Sequence, residues 1–132
     1  MRNWCEFFAS RARRIAGKEI EVYSNIEPNR DFEGIPTIEF AETETETRTF
    51  ISGKTQRERK CSVMCRASEQ TKADAIRDGL YEWLETKLAF LKETSEIYGY
   101  AIEEAGTLGD VRGINTGESF YGYIEFTIIE KE

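Results

Sequence analysis

Apolar residues recur along this chain with two different periods, and the points where the period changes divide it into elements. Trp4, Phe7, Phe8, Ala12 and Ile15 fall at i, i+3, i+4, i+8 and i+11, one helical stripe. A helix is therefore predicted over residues 3–16, with Gly17 as its stop. Glu19-Ile20-Glu21-Val22-Tyr23 alternates and predicts a short strand, and Pro28, Asn29 and Gly34 then carry turn chemistry. From Ile35 to Phe50 the chain reads as extended. Ile38 and Phe40 lead into Glu42-Thr43-Glu44-Thr45-Glu46-Thr47, a two-residue alternation in which neither side is apolar. Such a run is no core strand over its whole length: it is either a charged edge strand or a long mobile hairpin arm. A metal-binding row of glutamates is the sharper alternative, but carboxylates spaced along one strand face rarely converge on one ion.

Ser52-Gly53 reads as a turn, and Arg59 to Ala67 as a core strand. Cys61, Val63, Cys65 and Ala67 share the face expected to be buried, with Arg59 on the same side but outside the core. Lys60, Ser62, Met64 and Arg66 point the other way. Ser68 to Thr71 offers capping chemistry, with Thr71-x-x-Asp74 as a capping box. The main helix, about residues 70–91, carries Ala73, Ile76, Leu80, Leu84, Leu88 and Leu91 in its stripe, flanked by Tyr81 and Trp83. Gly79 sits within it and is expected to kink or divide it. Two strands close the chain, Ile97 to Glu103 and Phe120 to Ile129. Gly106, Gly109, Gly113 and Gly117 between them predict a flexible loop over about 106–118, without the GxGxxG order of a phosphate cradle. The whole reads as a single α+β domain over residues 1–132: an antiparallel or mixed sheet of four to five strands with helices packed on one face.

Composition narrows the chemistry. The chain has 132 residues and no histidine, so neither a Ser-His-Asp nor a Cys-His system can be built from it, nor a His-containing zinc site. No catalytic, cofactor-binding or metal-ligating residues are predicted, and the expectation is a protein without enzymatic activity. A net charge of −7 argues against nucleic acid or an anionic membrane surface as partner. Of the three cysteines, Cys61 and Cys65 lie four residues apart on a strand, about 13 Å, too far to pair. They read as small buried side chains, and reduced thiols suit synthesis in a cytoplasm. A thiol enzyme using Cys61 or Cys65 would need an accessible sulfur of depressed pKa, which an apolar strand position does not favour. Glu6 and Arg11 to Arg14 interrupt any N-terminal apolar run, so no signal peptide is expected.

Charge is segregated along the chain. Residues 1–18 carry a net +4, residues 19–50 a net −7, residues 51–66 a net +4 and residues 67–132 a net −8. A surface with basic and acidic parts can pack head to tail against its own copies, and a heterologous contact of that kind closes into a ring. The candidate subunit-interface residues are Arg57, Arg59 and Lys60 set against Glu42, Glu44 and Glu46 of a neighbour. The polar arms at about 42–58 and 106–118 would reach across to that neighbour.

The run Thr49-Phe50-Ile51-Ser52-Gly53-Lys54, the strand Arg59 to Ala67, and Gly79-Leu80-Tyr81-Glu82-Trp83-Leu84-Glu85 carry a resemblance. Over about residues 35–132 the chain resembles the small minor capsid or tail-terminator-like proteins of the head–tail joining cluster in tailed phages and prophages of Gram-positive bacteria. In that group an aromatic-x-x-Gly-Ser/Lys turn precedes a strand, a Gly-aromatic-Tyr-Glu helix ending Trp-Leu-Glu follows, and an aromatic strand like Phe120 to Ile129 closes the fold. Gly79-Leu80 departs from the pattern, and the Glu-Thr run has no counterpart in it. The resemblance implies a structural protein of the virion neck, made in the bacterial host cytoplasm and assembled as a homo-oligomeric ring, often a hexamer. Its partners would be tail-tube and head-connector proteins. Charge alone also fits a small acidic adaptor or inhibitor, active as a monomer or dimer.

Overall fold

A computed structural model describes residues 4–17, 19–27, 34–53, 55–110 and 119–131, with the backbone alone for residues 44–46, 48, 110 and 131. Two helices, α1 (Trp4–Ala16) and α2 (Gln70–Glu93), pack on one face of a five-stranded mixed sheet. Its strands are β1 (Glu21–Tyr23), β2 (Thr37–Thr49), β3 (Thr55–Ala67), β4 (Ile97–Asp110) and β5 (Ser119–Lys131), in spatial order β1-β2-β3-β5-β4. Only the short β1/β2 pairing is parallel. The other three pairings are antiparallel, so the fold is α+β in a single domain.

The core lies between the helices and one sheet face. Alternation along β3 buries Cys61, Val63, Cys65 and Ala67, and along β5 it buries Ile124, Phe126 and Ile128. The α2 stripe of Ala73, Ile76, Leu80, Leu84, Leu88 and Leu91 covers them completely. From α1, Trp4, Phe8 and Ala12 complete the layer. Phe8 is the hub of the aromatic packing, with ring centroids 5.7 Å from Phe40, 5.4 Å from Trp83 and 5.8 Å from Phe126. Phe7, which the periodic stripe includes, lies at the rim and is 36% exposed.

Several local expectations are corrected. The main helix is continuous through Gly79: the glycine admits α1, and a Cβ there would stand 2.5 Å from Ile15 Cδ1. The capping box at Thr71 does not form. The N-cap is Glu69, in extended backbone and without a side-chain cap bond, which places Thr71 inside the first turn. At the other end the helix unwinds properly: Ser95 takes φ 62 and the Glu96 N–H donates to the Leu91 carbonyl at 2.8 Å. β4 runs on to Asp110, so residues 106–110 are strand and not loop. Residues 111–118, the rest of that expected loop, lie outside the described residues.

The glycines of β4 serve packing between strands. Gly106 lies opposite Tyr123, and a Cβ would come within 2.8 Å of the tyrosine hydroxyl. Of the two readings of the Glu-Thr run, the structure has the edge strand. β1 covers only residues 37–39 of β2, and the outer edge of β2 from Phe40 to Thr49 pairs with no described strand. Its inner edge is zipped to β3 from Thr37↔Arg66 to Thr49↔Thr55, with one irregularity between Glu44 and Glu46. Residues 55–58 are therefore no free arm. β3 is held on both sides, by β2 and by β5.

Candidate assembly surfaces

The six residues proposed from charge all fall on the β2–β3 hairpin, where the fold sets the acidic and basic rows against each other within one chain. Thr43↔Lys60, Glu44↔Arg59, Glu46↔Glu58 and Thr47↔Arg57 are opposed across the ladder. Arg59, expected outside the core, is buried at 4% exposure. Its guanidinium pairs with the Glu42 carboxylate of the same chain, and its Nε lies 3.5 Å from Glu130 Oε2. Arg59 and Glu42 are thus already compensated. A charge so buried needs such partners, because its loss of hydration is otherwise uncompensated. Lys60 is exposed on the opposite face, and Arg57 is half-buried beside Glu58.

The hairpin ends in an apolar tip. At the turn, closed by the Gly53 N–H donating to the Phe50 carbonyl at 2.9 Å, Phe50 is 47% exposed and Ile51 wholly so. Gly53, at φ 84, supplies the left-handed residue the turn needs. Phe50 and Ile51 thus form an adjacent exposed apolar pair at the end of the hairpin.

The second long edge belongs to β4, the terminal strand on the other side of the sheet. It is irregular between Ile97 and Gly99 and again between Ile102 and Glu104. Bulges and charges on exposed edges discourage indiscriminate pairing while leaving backbone donors and acceptors open to a matched partner.

Among the described residues no helix covers the sheet face away from α1 and α2, where Ser62, Met64, Tyr121 and Tyr123 are half-buried and Glu125 is exposed. Pairs reaching from β3 to β4 place Met64 beside Tyr123, Ser62 beside Glu125, and Glu125 directly opposite Glu104. The Tyr123 hydroxyl donates to Glu104 at 3.0 Å, and that hydrogen bond, first among the causes, holds the phenol above its ordinary pKa. Thr127 likewise donates to Glu103. At the β2 end the same face is closed over Glu39 and Arg66, both essentially inaccessible, with Arg66 Nη2 3.8 Å from Glu39 Oε2. The Glu27 backbone N–H donates to Glu39 Oε1 at 3.4 Å. Arg66 lies on the side its alternation predicts, away from the helices, yet it is buried there, because a partner 27 positions away shares its pocket.

Cys61 and Cys65 offer no nucleophile. All three cysteines are free thiols. Burial pushes Cys61 and Cys65 up to about 12, against weaker opposing effects from Arg59 and from the Gly122 backbone respectively. Cys65 Sγ donates to the Gly122 carbonyl at 3.4 Å. A thiol protonated at neutral pH and closed to solvent attacks nothing. A maleimide or disulfide reagent at pH 8 should therefore modify Cys5 alone in native protein, and all three cysteines only after unfolding in denaturant. Stoichiometric labelling of Cys61 or Cys65 before unfolding would contradict this. Among the described residues no group of three His, Cys, Asp or Glu side chains could hold a metal ion, and no helix is long and apolar enough to cross a membrane.

No family model and no curated protein matches the chain. Among solved structures, a chain of the "Virion of native gene transfer agent (GTA) particle" is similar to it, with a TM-score of 0.47 and 10% sequence identity, covering 92% of this chain and 84% of that chain.

Proposed function

We propose that this protein is a non-catalytic structural subunit of a phage or prophage virion, acting at the head–tail joint by assembling copies of itself into a ring. The observation that carries the reading is the pair of long edges that pair with no described strand, β2 from Phe40 to Thr49 on one side of the sheet and β4 on the other. Two different edges on opposite sides of one subunit allow a heterologous contact, which repeats from copy to copy and closes when the rotation per step permits. The apolar tip at Phe50 and Ile51 lies at the end of the β2 edge, where a neighbour would cover it. The sequence resemblance over residues 35–132 supports the virion setting, and buried, protonated Cys61 and Cys65 support the absence of thiol chemistry.

On this reading Glu44, Glu46, Arg57 and Lys60 line the contact with the neighbouring subunit, and the tail tube and head connector meet the two rims of the ring. Electron micrographs of the purified full chain are expected to show closed rings of one diameter. Open filaments of indefinite length, or protomers at every concentration, would contradict ring assembly. A stable complex of one protomer with one copy of an unrelated basic protein would instead favour the adaptor reading, for which the −7 net charge is the specific support.

A further inference from the structure

We infer that the sheet face away from the helices is the docking surface for the outward face of α1 from a second copy, a second contact between copies beside the strand edges, which rests on the self-assembly reading. The groove on that face has a volume of about 430 Å³ and is lined by Met64, Leu108, Tyr121, Tyr123, Glu104 and Glu125 among others. Its floor is aromatic and apolar, and among the described residues that line it the charged groups are acidic, with no lysine or arginine. Glu104 and Glu125 are directly opposed across the β4/β5 ladder. Like charges in that position are destabilising in the free chain, and a cation seated between them removes the penalty. Tyrosine faces beside the carboxylates favour a guanidinium in particular, which stacks on a ring while donating to an oxygen. Leu108, 49% exposed, leaves room for an apolar anchor next to it.

The outer side of α1 carries the complementary set. Phe7, Arg11 and Arg14 stand at i, i+4 and i+7, one stripe along the helix, and together line a shallow cleft with Ser10 and Trp83. Phe7 and Arg14 are exposed and Arg11 is half-buried. Among the described residues no carboxylate pairs with Arg11, Arg13 or Arg14, so this helix presents three uncompensated guanidinium groups and an apolar side chain. Among the described residues, a groove whose charge is acidic and a helix stripe whose charge is basic occur on the same molecule, on opposite faces of its sheet. They cannot meet within one chain. Placed between copies they form a heterologous contact with one polarity, the kind that builds a ring.

The test is a charge swap on the full chain. Arg11→Glu with Arg14→Glu, and separately Glu104→Lys with Glu125→Lys, are each expected to weaken self-association about tenfold or more by light scattering. Mixing the two variants is expected to restore assembly, because the reversed helix of one then meets the reversed groove of the other. Arg13→Glu, off the stripe, is the control for a general charge effect and should assemble as the parent does. Circular dichroism of each variant separates loss of the contact from loss of the fold. A parent that assembles while both double variants assemble equally well overturns this inference and leaves the ring reading standing. Variants that dissociate but do not recover on mixing also overturn it, and a parent that never associates overturns both.

Discussion

Glu39→Ala is expected to cost about 3–5 kcal/mol of folding stability, because it breaks a buried ion pair. Glu39 and Arg66 are nearly inaccessible, and their charged groups lie 3.8 Å apart. Removing the carboxylate takes a charge partner from a guanidinium that little water can reach, and it takes the Glu39 Oε1 acceptor from the Glu27 backbone N–H. The asymmetry between breaking the pair and replacing it supplies the control. Glu39→Leu combined with Arg66→Met is expected to recover most of the loss, because two apolar side chains of similar volume need no compensation in that site. Urea unfolding of the parent, both single variants and the double variant measures it. Additive losses in the double variant would show that the two residues do not act as a pair.

Gly122→Val is expected to destabilise by about 2–3 kcal/mol or more, from overpacking where β5 meets α2. A Cβ at this position would stand 2.7 Å from Arg77 Cβ, 3.0 Å from Cys65 Sγ and 3.1 Å from the Ala73 carbonyl. None of these is the free end of a long side chain, so the helix itself must lift. Arg77 is tied to Asp74 at 3.3 Å and to Asp78 at 2.8 Å, and through Thr107 to β4, which resists that movement. Gly79→Ala provides the contrast. Its nearest contact is the terminal Cδ1 of Ile15, which can rotate aside, so the loss there should be small against the gain in helix propensity. Thermal unfolding of the two variants side by side separates them. Equal melting temperatures would refute the account of how tightly α2 rests on the sheet.

Much of the fold was legible because its periodicities are clean. The α2 stripe from Ala73 to Leu91 and the alternations of Cys61 to Ala67 and of Ile124, Phe126 and Ile128 each name their buried face directly, and the structure buries those residues, while Phe120 at the start of β5 is half-buried. The mixed sheet with helices on one face follows from the order of those elements. What stayed hidden depends on contacts between distant segments. The glycines at 106 and 109 read as loop because glycine is a turn residue by default, whereas here they lie opposite Tyr123 and Phe120 in a strand. Arg59 read as a surface charge because nothing in its own strand shows that Glu42 and Glu130 converge on it. The segregated charge blocks suggested contacts between subunits, but the hairpin register places part of each block against the other in the same chain. The open acidic groove and the basic stripe on α1 became visible only once the fold put them on opposite faces.

Solution mass by light scattering, taken on the full chain from low to high salt, tests self-assembly most directly. The protomer is 15.3 kDa. The account predicts a discrete multiple of that mass at low salt which falls reversibly as salt screens the acidic groove from the basic helix. A protomer mass at millimolar concentration and low salt would contradict it.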